Sequence, residues 1–128
     1  MPDQDQNELT KRVLSFRYAF EGWSYVIRSQ NNAWIHAAVT IGVIIFALWL
    51  DVSRIEWSIL ILTIAFVWTA EFANTALEAV VDLVSPEDHH LAKIAKDVAA
   101  GAVLVSAVAA VIIGLLILGP PLWERFFS

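Results

Sequence analysis

The sequence predicts an all-α integral membrane protein, with three transmembrane helices preceded by an N-terminal amphipathic surface helix. Three observations lead there. Hydrophobic residues fill 59% of the 128 positions and the mean hydropathy is +0.66, far above a soluble average. Segments at about 33–50, 55–81 and 98–118 each meet the ~17–25 apolar residues that a hydrocarbon core of about 30 Å requires. Finally, Glu71, Asn74 and Glu78 in the second of these segments, with Asp82 just past its end, stand at helical offsets, an ordered polar stripe on an apolar run.

Residues 1–9 read as a disordered tail, polar and acidic, with no apolar run of the signal-peptide kind. Residues 10–128 then form a single domain. From Thr10 to Arg28, the apolar residues Val13, Phe16, Phe20, Trp23 and Ile27 recur every three or four positions. Lys11, Arg12, Ser15, Ser24 and Arg28 lie mostly elsewhere. A basic helix with an aromatic face suits a membrane interface, and is equally compatible with packing on the bundle. The first span is short, so the helix around Arg28 is expected to continue into it. Ser85-Pro86 ends the second helix or opens the next, with Ser85 as a cap. Ala102, Ser106, Ala110 and Gly114 set a small residue at every fourth position of the third span, a pattern that lets helices pack closely in lipid.

Basic residues orient the chain. Lys11, Arg12, Arg17 and Arg28 precede the first span, and Lys93 and Lys96 follow the second, whereas Arg54 and Arg125 stand alone at the other ends. The positive-inside rule therefore puts the N-terminus and the second connection in the cytoplasm and the C-terminus outside. Trp34, Trp49, Trp57 and Trp123 sit near span ends, where indole prefers the interface. The absence of cysteine excludes disulfides and thiolate chemistry, and the net charge of −5 argues against nucleic acid as a partner.

The chemistry concentrates on the polar stripe. An ionisable group at membrane depth costs roughly 2.5–3.5 kcal/mol on insertion scales. If the second helix leaves the hydrocarbon near Leu77, Glu71 lies about 9 Å inside it. Glu78 and Asp82 then lie at the interface, where charge is cheap and where Asp82 also reads as a simple helix end. A deep carboxylate facing a lipid and shallower ones facing a metal-bound, water-soluble co-substrate suit a reaction at the boundary. Lys93 and Asp97 are one turn apart and read as a surface ion pair, or as charges facing the Glu78 stripe. Phosphoryl transfer uses such parts: cations on the phosphates, carboxylates for Mg²⁺ and a base for the attacking hydroxyl. No glycine-rich phosphate loop is present, so a nucleotide site would be built differently. His89 and His90 with Glu87 offer zinc-type ligands. Adjacent histidines do not share a helix face, however, and loop polarity accounts for them.

Two blocks carry a resemblance. The run Glu71-x-x-Asn74-Thr75-Ala76-x-Glu78-x-Val80-Val81-Asp82 and the stretch Ala92-Lys93-x-Ala95-Lys96-Asp97-x-Ala99-Ala100-Gly101-Ala102-Val103 resemble the signature of the prokaryotic diacylglycerol kinase and undecaprenol kinase family. The likeness extends from about Phe16 to the end of the third span. Asp82 to Glu87 and Lys93 to Val103 look more like the undecaprenol kinase branch. The resemblance implies a homotrimer in the bacterial cytoplasmic membrane, with composite sites that use ATP and Mg²⁺ to phosphorylate a lipid hydroxyl. The preferred lipid is undecaprenol, and diacylglycerol is the alternative.

Position by position, the resemblance makes Glu71 the catalytic base with Asn74 beside it, and Glu78 a metal ligand that also holds ATP. Asp82, Lys96 and Asp97 match polar residues around the nucleotide. Glu87 and His89 match the segment covering it, and Lys11 and Tyr18 match surface-helix contacts to ATP. Gln30 stands where the family carries a second metal-binding glutamate, and Trp34 where it carries an arginine. An amide oxygen can ligate Mg²⁺ without supplying negative charge. His36 reads as a packed or interfacial residue. The alternative of another class is a non-catalytic membrane subunit or a cation-path bundle. Against a path, Trp57 to Ala70 offers only Ser58, Thr63 and Thr69.

Overall fold

A computed structural model describes residues 4–127, with side chains described from Asn7 onward. Four helices follow one another: α1 (Gln4–Ser29), α2 (Asn31–Leu50), α3 (Arg54–Val84) and α4 (His90–Phe127). The last three are long and apolar enough to span a membrane. Large apolar side chains such as Leu62, Phe66, Leu104 and Leu116 point outward along them, as expected where the solvent is lipid.

Helix α1 begins at Gln4, upstream of the expected Thr10, so part of the segment read as a tail is helical. Glu8 and Lys11 pair at 3.2 Å one turn apart and favour that extension. Residues 1–3 of the expected tail lie outside the described residues. The expected continuity of α1 into the first span does not hold. Gln30 is extended (φ −115°, ψ 118°) and separates α1 from α2. Its carbonyl accepts from Ala33 N–H while its own N–H bonds Val26 O, so the chain changes direction with few backbone groups stranded.

Helix α2 ends on Asp51 in the left-handed region (φ 52°), a conformation that a short Asp side chain tolerates. The Asp51 and Val52 amides return to Leu48 O and Ala47 O. Helix α3 starts with a capping box. Ser53 Oγ accepts from Glu56 N–H at 3.2 Å, and the Glu56 carboxylate accepts from Ser53 N–H at 3.3 Å. Ser85 closes α3, and its Oγ donates to Glu87 O, so Ser85-Pro86 terminates the second span instead of opening the third. Helix α4 does not stop at Leu118 but continues through Pro120 and Pro121 to Phe127. Proline φ is compatible with helix, and Trp49 steadies this end. Trp49 packs on Phe126 (ring centroids 6.0 Å apart) and receives the Arg125 guanidinium 4.7 Å above its ring.

Helices α3 and α4 form an antiparallel hairpin. Its register pairs Asp82 with Lys96 at one end and sets Leu60 against Ile117 and Leu118 at the other. Ala47, Val52, Leu60, Ile117 and Leu118 form the apolar core at the α2–α3 connection end. A smaller cluster, Val26, Ala33 and Trp68, ties α1 and α2 to α3. Trp23 adds to it, 5.8 Å from Trp68 and 5.5 Å from Phe72.

Candidate functional site

Glu71 is the most deeply buried charged residue of α3, 1% exposed, and Asn74 and Thr75 are buried beside it. Thr75 Oγ1 donates to Glu71 O, which satisfies its own hydroxyl within the helix. Glu71 Oε2 and Asn74 Oδ1 are buried acceptors without a hydrogen-bond partner. Buried polar atoms are rarely left this way, because desolvation goes uncompensated. Against Glu71 lies His36, whose Nε2 is 3.5 Å from Glu71 Oε2.

About two turns along α3, Glu78 is half-buried and meets Gln30, whose Nε2–H donates to Glu78 Oε2 at 2.9 Å. The helix break places Gln30 there, since its extended backbone turns the side chain toward α3. Further on, Lys96 Nζ donates to Asp82 Oδ1 at 2.5 Å across the hairpin. That hydrogen bond holds the Lys96 ammonium above its ordinary pKa range. Lys93 pairs with Asp97 at 2.6 Å along α4.

Beyond this pair a cleft of about 600 Å³ opens, lined by Asp82, Glu87, His89, Lys96 and Asp97 among others. Here the structure brings together residues from both motif blocks and from the connection. His89 Nδ1 accepts from Leu91 N–H at 3.1 Å, and its ring stacks on His90 at 4.7 Å. This stacking is possible because His89 lies just outside α4. Lys11 and Tyr18 are not brought in. Lys11 pairs with Glu8, Tyr18 is exposed, and among the described residues no hydrogen bond or ion pair joins either to Gln30, Glu71 or Glu78.

Among the described residues, no three histidine or acidic side chains converge as a self-sufficient metal site. Mg²⁺ is ordinarily held by one or two protein carboxylates together with substrate phosphates and waters, so a full protein cage is not what it needs. Glu78 offers one such carboxylate, and the Gln30 amide beside it presents its N–H, so its oxygen would face an ion only after the amide turns over.

Two contacts were missed by sequence reasoning. One is His36 against Glu71. The other is the anchor behind it, in which Trp68 Nε1–H donates to Thr40 Oγ1 (3.1 Å) and Thr40 Oγ1 donates to His36 O (2.7 Å). The signal was present: Asn32, His36 and Thr40 recur every fourth residue along one face of α2, whose other residues after Asn31 are apolar.

Comparison with known proteins gives this geometry its class. The family model described as prokaryotic diacylglycerol kinase matches residues 17–118. A diacylglycerol kinase of Synechocystis sp. is 50% identical over 111 residues, covering 86% of this chain and 63% of that protein. An undecaprenol kinase of Bacillus subtilis is 44% identical over 117 residues, covering 91% and 95%. A diacylglycerol kinase of Escherichia coli is 32% identical over 126 residues, covering 92% and 99%. The chain thus spans less than two thirds of the cyanobacterial relative and nearly all of the other two. Fold, buried carboxylate and relatives together define a membrane-embedded lipid kinase of bacterial type. The chain belongs to the prokaryotic diacylglycerol kinase family. A kinase of this family takes ATP as its co-substrate.

Proposed function

We propose that this chain is an undecaprenol kinase, transferring the γ-phosphate of ATP to the lipid hydroxyl. The observation that carries the reading is the buried, unpartnered Glu71 carboxylate oxygen, set at membrane depth on the same helix face as Glu78. Glu71 accepts the hydroxyl proton as the lipid oxygen forms its bond to the γ-phosphorus. The bond from that phosphorus to the β,γ-bridging oxygen breaks, and ADP leaves. Asn74 orients the acceptor. Glu78 and Gln30 would hold Mg²⁺ against the phosphates, and the chemistry the ion would supply there is neutralisation of phosphate charge. Lys96 faces the phosphates, with Asp82, Asp97, Glu87 and His89 lining the nucleotide cleft. Lys11 and Tyr18 join the nucleotide if α1 closes over it.

The undecaprenol choice is supported by the Asp82–Glu87 and Lys93–Val103 blocks and by the near-complete coverage of the Bacillus subtilis undecaprenol kinase. Diacylglycerol remains the second reading, supported by the 50% identity to a protein named for it. The working form is a homotrimer in the bacterial cytoplasmic membrane. Its N-terminus is cytoplasmic and its C-terminus outside, in keeping with the clustering of basic residues in α1 and, as Lys93 and Lys96, in the first turns of α4.

The test is transfer of label from ATP into the lipid fraction by protein purified in detergent. Undecaprenol and diacylglycerol are supplied in separate arms with Mg²⁺, and Glu71→Gln is the control. Faster labelling of undecaprenol is expected, with loss of transfer in the control. Preference for diacylglycerol reassigns the substrate, and an undiminished control rate removes Glu71 from the mechanism.

A further inference from the structure

We infer that His36 is the positioning residue for Glu71, holding its carboxylate toward the acceptor hydroxyl from the α2 side. The inference rests on the reading of Glu71 as the base. An ionised carboxylate this deeply buried needs a donor, since an unpaired charge in such surroundings is strongly disfavoured. His36 Nε2, at 3.5 Å, is the only ion-pair partner of Glu71 among the described residues. That separation is an ion-pair distance, longer than a formed N–H···O hydrogen bond, so the imidazole would have to turn toward the carboxylate to donate to it.

Three contacts fix the imidazole where it can do this. Its ring sits edge-on to Trp68 with centroids 6.3 Å apart. Trp68 in turn donates to Thr40, and Thr40 donates to the His36 carbonyl, which locks this turn of α2 against α3. His36 therefore belongs to a braced unit and not to a freely rotating surface.

The other side of His36 is open. It lines a groove of about 330 Å³ between α2 and α4 together with Ile35, Ala100, Val103, Leu104 and Ala107. The hairpin register places Ala107 level with Glu71, so this mostly apolar groove, which Asn32 also lines, reaches the depth of the buried carboxylate. His36 stands between the two, with its side chain only 16% exposed. A lipid hydroxyl approaching along the groove would meet the imidazole and the carboxylate as one unit. Orientation of this kind is worth much to a rate, because misplacement by about 1 Å can cost on the order of 100-fold.

The experiment compares His36→Leu and His36→Gln with wild type and Glu71→Gln in the detergent assay. His36→Leu fills the space without a donor, and His36→Gln keeps an N–H. The expected result is a fall in kcat of on the order of 10- to 100-fold for His36→Leu. KM for ATP should hardly change, and His36→Gln should recover most of the rate. A role in packing alone reverses the ranking, with Leu close to wild type, and overturns the inference. Retention of full activity by Glu71→Gln overturns the reading beneath it. A binding-independent readout covers variants that fold poorly. In imidazole NMR of the folded protein, Glu71→Gln should shift the His36 resonances and leave those of His89 and His90 in place. Unmoved His36 resonances sink the contact.

Discussion

The two ends of helix α3 are built for opposite purposes. At the α2–α3 connection, Leu60 is buried against Ala47, Val52, Ile117 and Leu118, and a capping box closes the helix. At the α3–α4 connection, the same helix presents Glu71, Glu78 and Asp82, each met by a polar partner from a different element: His36 from α2, Gln30 from the helix break and Lys96 from α4. Apolar contacts hold one end together without regard to direction. The other end is a series of directional contacts, one of them incomplete. Stability and chemistry are thus separated along one rod, and substitutions at the two ends should sort accordingly.

The largest effect is expected from Glu71→Gln, a fall in kcat of about 10²- to 10⁴-fold with little change in unfolding midpoint, read by lipid phosphorylation and denaturation in detergent. The converse is Leu60→Ala. It removes a side chain that is 2% exposed and should cost about 2–5 kcal/mol of stability while the rate per folded molecule stays near wild type. A loss of kcat as large as that of Glu71→Gln would show that the two ends are not separate.

Next comes Gln30→Glu. It replaces a 2.9 Å hydrogen bond with two facing carboxylates, which repel until a cation joins them. A lower Mg²⁺ requirement in the assay is expected, together with a lower melting temperature in chelator, and an unchanged requirement would separate Gln30 from metal binding. Lys96→Met should slow transfer by about tenfold through weaker phosphate contact, while leaving stability almost unchanged, because solvent screens an exposed ion pair. Since Asp82 raises the Lys96 pKa above its ordinary 10.5, any stability from this pair is complete at neutral pH. It is lost only as pH rises beyond that value, which a pH series of melting curves checks. The smallest effect belongs to Ser53→Ala, about 1 kcal/mol from the lost cap with activity intact.

Much of this division is legible from residue spacing. The three apolar runs locate the spans, and the offsets of Glu71, Asn74, Glu78 and Asp82 place them on one face before any coordinates. What spacing does not carry is which side chain from another helix comes opposite. Gln30 and Glu78 are brought together by a backbone break that no proline or glycine announces. His36 reads as an ordinary interfacial residue until the register of α2 against α3 is known. The helical path through Pro120 and Pro121 is hidden too, because it depends on Trp49 packing against Phe126 and Arg125 from another helix.

The length of α3 has a mechanical consequence. Its 31 residues extend about 46 Å at 1.5 Å per residue, well beyond a hydrocarbon core of about 30 Å. Glu71 stands about 25 Å along that rod from Arg54. The helix is therefore a ruler fixed at the capped end, and the bilayer decides where its marks fall. A membrane thickened by a few ångström draws Glu71 deeper into hydrocarbon, and a thinner one brings it toward water. The depth of the reacting carboxylate is in this sense a property of the lipid as much as of the chain.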